Sequence, residues 1–157
     1  MTVLMSLWLR TVESPFIPKL FVPKNFMQIT KQQLFGNLDF KTIGDNSDFK
    51  EDSVRKVIIL PILRQLGYIQ DNIVRSKSLD HPFIKIGSKK RQIKLIPDYC
   101  LKVENNFAWV LDAKAPDEKV INSDNVEQVY SYSEHIEIRS TYFSLCNGFY
   151  SFEWSAQ

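Results

Sequence analysis

Two aspartates and a lysine stand close together in the second half of the chain: Asp98 in Ile96-Pro97-Asp98-Tyr99, and Asp112 with Lys114 in Trp109-Val110-Leu111-Asp112-Ala113-Lys114. Paired carboxylates hold a hard divalent cation through oxygen ligands, and an ammonium beside them can orient an attacking water or hold a phosphate. Residue types in that order point to metal-assisted cleavage of a phosphodiester.

The flanking sequence must bring the three together. Lys94 to Val103 and Phe107 to Lys114 read as strands joined at Glu104-Asn105-Asn106, a hairpin turn in which Asn tolerates a positive φ. Side chains alternate along a strand, so Asp112 and Lys114 share a face while Ala113 points back. Asp98, in the middle of the partner strand, then lies across from them. The plain alternative is a solvated Asp–Lys pair on a polar strand face. Against it, Phe107-Ala108-Trp109-Val110-Leu111 is nearly continuous in apolar residues, so the strand is expected to be covered on both faces. Charges ending such a strand need partners or a metal. Asp117-Glu118-Lys119, after Pro116, reads as a surface turn without a role.

A third acid comes from upstream. Residues 48–67 have helical spacing, with Val54, Val57, Ile58, Ile62 and Leu66 on one broad face, Ser47 or Asp48 as N-cap, and Gly67 as terminator. Pro61 is expected to kink or divide this helix. Glu51 shares the inward face and Asp52 does not; alternatively Glu51 only favours the helix dipole, an effect of about 0.3–1 kcal/mol. Asn125 to Ser133 reads as a short helix carrying Gln128 and Tyr132 four residues apart, either a hydrogen-bonding pair for a phosphate, a base edge or the carboxylates, or a chance polar pair. Thr141 to Asn147 is a buried strand stopped by Gly148, and Ser151 to Trp154 begins another.

Taken in order, the Glu51 helix ending in Leu63-Arg64-Gln65-Leu66-Gly67-Tyr68, Pro97-Asp98, Asp112-Ala113-Lys114 and Gln128-x-x-x-Tyr132 resemble the N-terminal nuclease domain of type I restriction endonuclease R subunits. That domain belongs to the PD-(D/E)xK, restriction endonuclease-like group. The resemblance spans 51–154, about two thirds of the chain. It implies an αβββαβ core with a central mixed sheet flanked by helices, and hydrolysis of DNA with Mg²⁺, for which Mn²⁺ substitutes. It implies Glu51, Asp98 and Asp112 as metal ligands, Lys114 as support for the attack, and Gln128 and Tyr132 as further catalytic residues. The implied partners are DNA, specificity and methylation subunits, or a translocase domain of a longer protein. No Gly-x-x-x-x-Gly-Lys-[Ser/Thr] phosphate loop is present, so the sequence itself carries no motor.

Composition fits one globular α/β domain: 157 residues, 44% apolar, net charge +2. Any polyanion binding must therefore come from local clustering, and Lys85, Lys89, Lys90, Arg91 and Lys94 supply a cluster that reads equally as a DNA-backbone contact or a solubilising loop. Residues 48–157 form the expected nuclease domain and 1–47 an extension packed on it. In that extension Pro15, Pro18 and Pro23 suggest an irregular segment, and Lys31 to Phe40 a loop or short hairpin. Cys100 and Cys146 read as core thiols, while His81 and His135 read as loop or helix-surface residues. The apolar run Met1 to Leu9 is too short to span a membrane and lacks a cleavage signal, so a cytoplasmic protein with no membrane contact is expected. Two other functions compete: a non-catalytic DNA-binding or assembly module, and a free-standing structure-specific repair nuclease.

Overall fold

The computed structural model describes residues 30–86, 88–121 and 123–156, so the expectations for Met1 to Leu9 and for Pro15, Pro18 and Pro23 lie outside the described residues. Lys31–Phe35 is a helix, α1, not the loop or hairpin expected there. A capping box explains it: the Thr30 hydroxyl accepts from the Gln33 amide, and the Gln33 side chain accepts from the Thr30 amide. Leu34, Phe35, Leu38 and Phe40 pack against the main core, where Ile43 is buried.

The second helix, α2, runs without a break through Glu51–Ser53, a π-helical stretch Val54–Ile59 and Leu60–Gln65. Its N-cap is Lys50 rather than Ser47 or Asp48, and no side chain caps it. Pro61 does not break the helix. The widened turn ahead of it bonds the Leu60 amide to the Arg55 carbonyl, a geometry that accommodates a residue lacking an amide hydrogen. Gly67, at φ 91°, ends the helix while the Tyr68 amide returns to Leu63.

Among the described residues seven strands follow: β1 Ile73–Arg75, β2 Leu79–Ile86, β3 Lys89–Leu95, β4 Tyr99–Val103, β5 Asn106–Ala113, and, after helix α3 Asp124–Ser133, β6 Tyr142–Cys146 and β7 Ser151–Ser155. β2 and β3 form a separate two-stranded ribbon, and the other five make a mixed sheet in the order β1-β4-β5-β6-β7. Only β5 and β6 are parallel, because α3 carries the chain back between them. Within the sheet and its helices the order is therefore helix, three strands, helix, strand, with the ribbon inserted after β1 and β7 added at the edge. The run Lys94 to Val103 is not one strand. Pro97 contributes no amide hydrogen, and the chain passes from the ribbon to the sheet across Ile96-Pro97-Asp98.

Alternation along the strands builds a core on each face. Tyr99, Leu101, Leu111, Ala113 and Cys146 meet Val54, Ile58, Ile59, Ile62 and Leu63 of α2. Cys100, Val110, Phe143 and Leu145 meet Val129 and Tyr132 of α3 on the other face. The expected double covering of β5 is thus observed. Gly148, at φ 88°, closes β6 where an added Cβ would lie 3.0 Å from Ile58 Cδ1, so glycine is required there. None of the described helices is long and apolar enough to cross a membrane.

Candidate active site

The β4–β5 turn is tight: Glu104 and Asn105 both take positive φ, at 50° and 69°. The register it starts, with Lys102 opposite Phe107, shifts by one residue between Leu101 and Lys102, and beyond that bulge Tyr99 faces Leu111 and Asp98 comes opposite Asp112. Asp98 lies just before β4 rather than mid-strand. There its amide is free of the ladder and donates to Asp112 Oδ1 at 3.1 Å, and the Ala113 amide donates to Asp98 Oδ2 at 2.8 Å. Each carboxylate therefore has one oxygen fixed by the backbone of the other's strand.

The remaining oxygens face cations. Lys114 Nζ is 2.9 Å from Asp112 Oδ2 and donates to Gln128 Oε1 at 3.1 Å. Arg55 Nη1 donates to Asp98 Oδ1 at 2.7 Å, and its Nη2 lies 3.4 Å from Asp52 and 3.9 Å from Glu51. Both aspartates and Lys114 are buried. The shared face of Asp112 and Lys114 is as expected, and α3 supplies Gln128 to the same group.

Burial and the neighbouring Asp98 push Asp112 up to about 6, against the pull of Lys114. Burial lowers Lys114, but Asp112, Glu51 and Glu118 more than offset it, so the ammonium titrates above its ordinary value. Glu51 is raised, first by burial and then by Asp98. Tyr132 is held up at about 12 by burial and by the fields of Asp112, Asp98 and Glu51, which keeps its hydroxyl protonated near the acids. Gln128 is thus brought to Lys114 by a hydrogen bond, while Tyr132 is buried one turn further along α3.

Glu51 is not joined directly to the two aspartates: Arg55 bridges it to Asp98. Among the described residues, no three His, Cys, Asp or Glu side chains stand close enough together to hold one ion. Mg²⁺ commonly binds through one or two carboxylates and completes its shell with water and phosphate oxygens. Asp98 and Asp112 fit that requirement, because their crowding in a buried site is relieved by added positive charge.

Arg55 was not foreseen as a site residue. Its signal was its place four residues after Glu51, one helical turn along the same face. Asn147 was also missed: its Nδ2 donates to the carbonyls of Pro116 and Glu118, and its Oδ1 accepts from the Phe149 and Tyr150 amides. Those bonds tie the loop after Lys114 to the end of β6. Asp117, Glu118 and Lys119 are exposed as expected, yet Glu118 Oε1 accepts from the Ala115 amide and the Glu118 charge is felt at Lys114.

The basic cluster falls on the β2–β3 ribbon, with Lys85 opposite Lys90 and Ile84 opposite Arg91. Lys89 and Lys94 are exposed; the side chains of Lys85, Lys90 and Arg91 lie outside what is described. Cys100 and Cys146 are buried free thiols, pushed by burial up to about 12 and about 11. His81 belongs to β2 by its backbone. His135 lies in the loop after α3, one of the two places expected for it, but is buried there, and its Nε2 lies 3.2 Å from the Asp80 carbonyl oxygen, linking that loop to the ribbon. In comparisons with known proteins, the chain matches no family model, no curated protein and no solved structure.

Proposed function

We propose that the chain is a Mg²⁺-dependent DNA endonuclease domain with a restriction endonuclease-like core, of the kind found at the N-terminus of type I restriction R subunits. The observation that carries this reading is the buried carboxylate pair Asp98 and Asp112, cross-fixed by two backbone amides, with Lys114 against Asp112. Asp98 Oδ1 and Asp112 Oδ2 would hold the ion, and Glu51, beyond Arg55, would add negative charge nearby rather than a third ligand. Bound there, Mg²⁺ would polarise the phosphodiester and acidify a water. Lys114, kept charged by Asp112 and oriented by Gln128, would hold the attacking water or offset the charge that develops on the phosphate. Tyr132, as a protonated hydroxyl, would donate a hydrogen bond beside it. The basic ribbon would hold the DNA backbone without reading its sequence.

One observation favours the non-catalytic binding module. Both aspartates already have a cation and an amide as partners, which satisfies them with no further ligand. Cleavage of supercoiled, linear and flapped DNA with and without Mg²⁺ separates the readings. Metal-dependent nicking that disappears in Asp112→Ala and Lys114→Ala supports the nuclease. DNA binding without any nicking, unchanged in those variants, favours the module. Cleavage confined to the flapped substrate would assign a structure-specific nuclease.

A further inference from the structure

Of the two cations at the carboxylate pair, one is built to stay and the other to leave. Lys114 has a side chain only 10% exposed and is held by Gln128 as well as by Asp112. The Arg55 side chain is 29% exposed and has second acceptors in Asp52 and Glu51, on the outer part of the same helix. Its hold on Asp98 is also incomplete. Nη1 alone reaches the carboxylate, Oδ2 being taken by the Ala113 amide, and the buried Nε has no partner. A guanidinium normally grips a carboxylate with two parallel bonds. The oxygen that Arg55 covers, Asp98 Oδ1, is the one the backbone leaves free for a metal.

We propose that Arg55 is a displaceable counter-cation of Asp98, occupying the metal-ligating oxygen until a divalent cation replaces it. The inference rests on the nuclease reading. The widened turn of α2 positions the residue, because the Arg55 carbonyl receives both the Leu60 amide and, at 3.1 Å, the Tyr99 hydroxyl. The backbone at Arg55 is thereby fixed, and its Nη2 already lies against Asp52 and Glu51, which can take the guanidinium when Asp98 is ligated. Metal and Arg55 then compete for one oxygen, and metal affinity is lower than the acids alone would give.

Calorimetric titration of Mn²⁺ into the wild type, Arg55→Gln, Arg55→Lys and Asp98→Ala/Asp112→Ala tests this, with thermal midpoints in EDTA to confirm that each protein is folded. Removing the competitor should tighten Mn²⁺ binding by about tenfold in Arg55→Gln, with Arg55→Lys between it and the wild type. A merely structural role for Arg55 would weaken binding instead. Unchanged or weaker affinity in folded Arg55→Gln, with binding still lost in the double variant, overturns the displacement alone. Absence of binding in every protein overturns both the displacement and the metal site it rests on.

Discussion

Asp98 and Asp112 are each held by one backbone amide and one cation, yet the two halves of the site differ in how firmly those partners are held. On the Asp112 side, Lys114 is buried, bonded to Gln128, and carried on a loop that Asn147 ties to the end of β6. On the Asp98 side, Arg55 comes from a different layer, keeps one bond to the carboxylate, and has other acids within reach. The same pairing of carboxylate and cation is thus built once as a fixed unit and once as an exchangeable contact. The fixed half suits a group that must act in one geometry, and the exchangeable half suits an entry point for a ligand.

Substitutions can break this contrast in graded fashion. The largest effect is expected from Asp112→Ala, which removes a ligand and the partner of Lys114 together, and should lower metal-dependent nicking by about 1,000-fold. Lys114→Met should cost about 100-fold while leaving Mn²⁺ binding in place, which rate measurements and calorimetry on the same variant would separate. If Lys114→Met instead abolishes metal binding, the division of labour between the halves is wrong.

The pH dependence sharpens the comparison further. Asp112 titrates at about 6 in the folded protein against 3.8 ordinarily, so the fold favours its protonated form. A raised folded-state value contributes stability that is fully present below the unfolded value. It is lost as pH rises through about 6. The contribution is on the order of 2–3 kcal/mol. In EDTA, the thermal midpoint of the wild type relative to Asp112→Asn should therefore fall between about pH 4 and about pH 6.5, and Mn²⁺ affinity should rise over the same interval. A flat difference would show that Asp112 ionises freely.

Smaller effects should stay on one side of the site. Asn147→Ala leaves two loop carbonyls without their buried donor and should destabilise the fold by about 2 kcal/mol in denaturant titrations, with slower nicking than its Mn²⁺ affinity would suggest. Gln128→Ala, at an exposed position on α3, should cost under about 1 kcal/mol of stability and a few-fold in nicking rate.

What could be read in the sequence was what depends on short range. Strand alternation placed Asp112 and Lys114 on one face, and the Asn-containing turn paired β4 with β5, but the one-residue shift between Leu101 and Lys102 that sets Asp98 opposite Asp112 has no signal in the turn. The apolar run in β5 announced burial on both faces. Contacts between layers were less visible. Arg55 acts on Asp98 across 43 positions in the chain, and its reach depends on a widened helical turn that no spacing rule anticipates. The ribbon was hidden because Lys94 to Val103 is apolar on both sides of Pro97, and only the missing amide of that proline marks the change of sheet. The capping box at Thr30 and Gln33 is a short-range signal of the same kind, and it starts the helix Lys31–Phe35.

The claim on which the rest depends is that Asp98 and Asp112 together hold a divalent cation. Mn²⁺ titrated calorimetrically into the wild type and into Asp98→Ala/Asp112→Ala tests it without substrate or partner. A saturable binding heat in the wild type that vanishes in the folded double variant is the expected result. Indistinguishable titrations of the two proteins would contradict it.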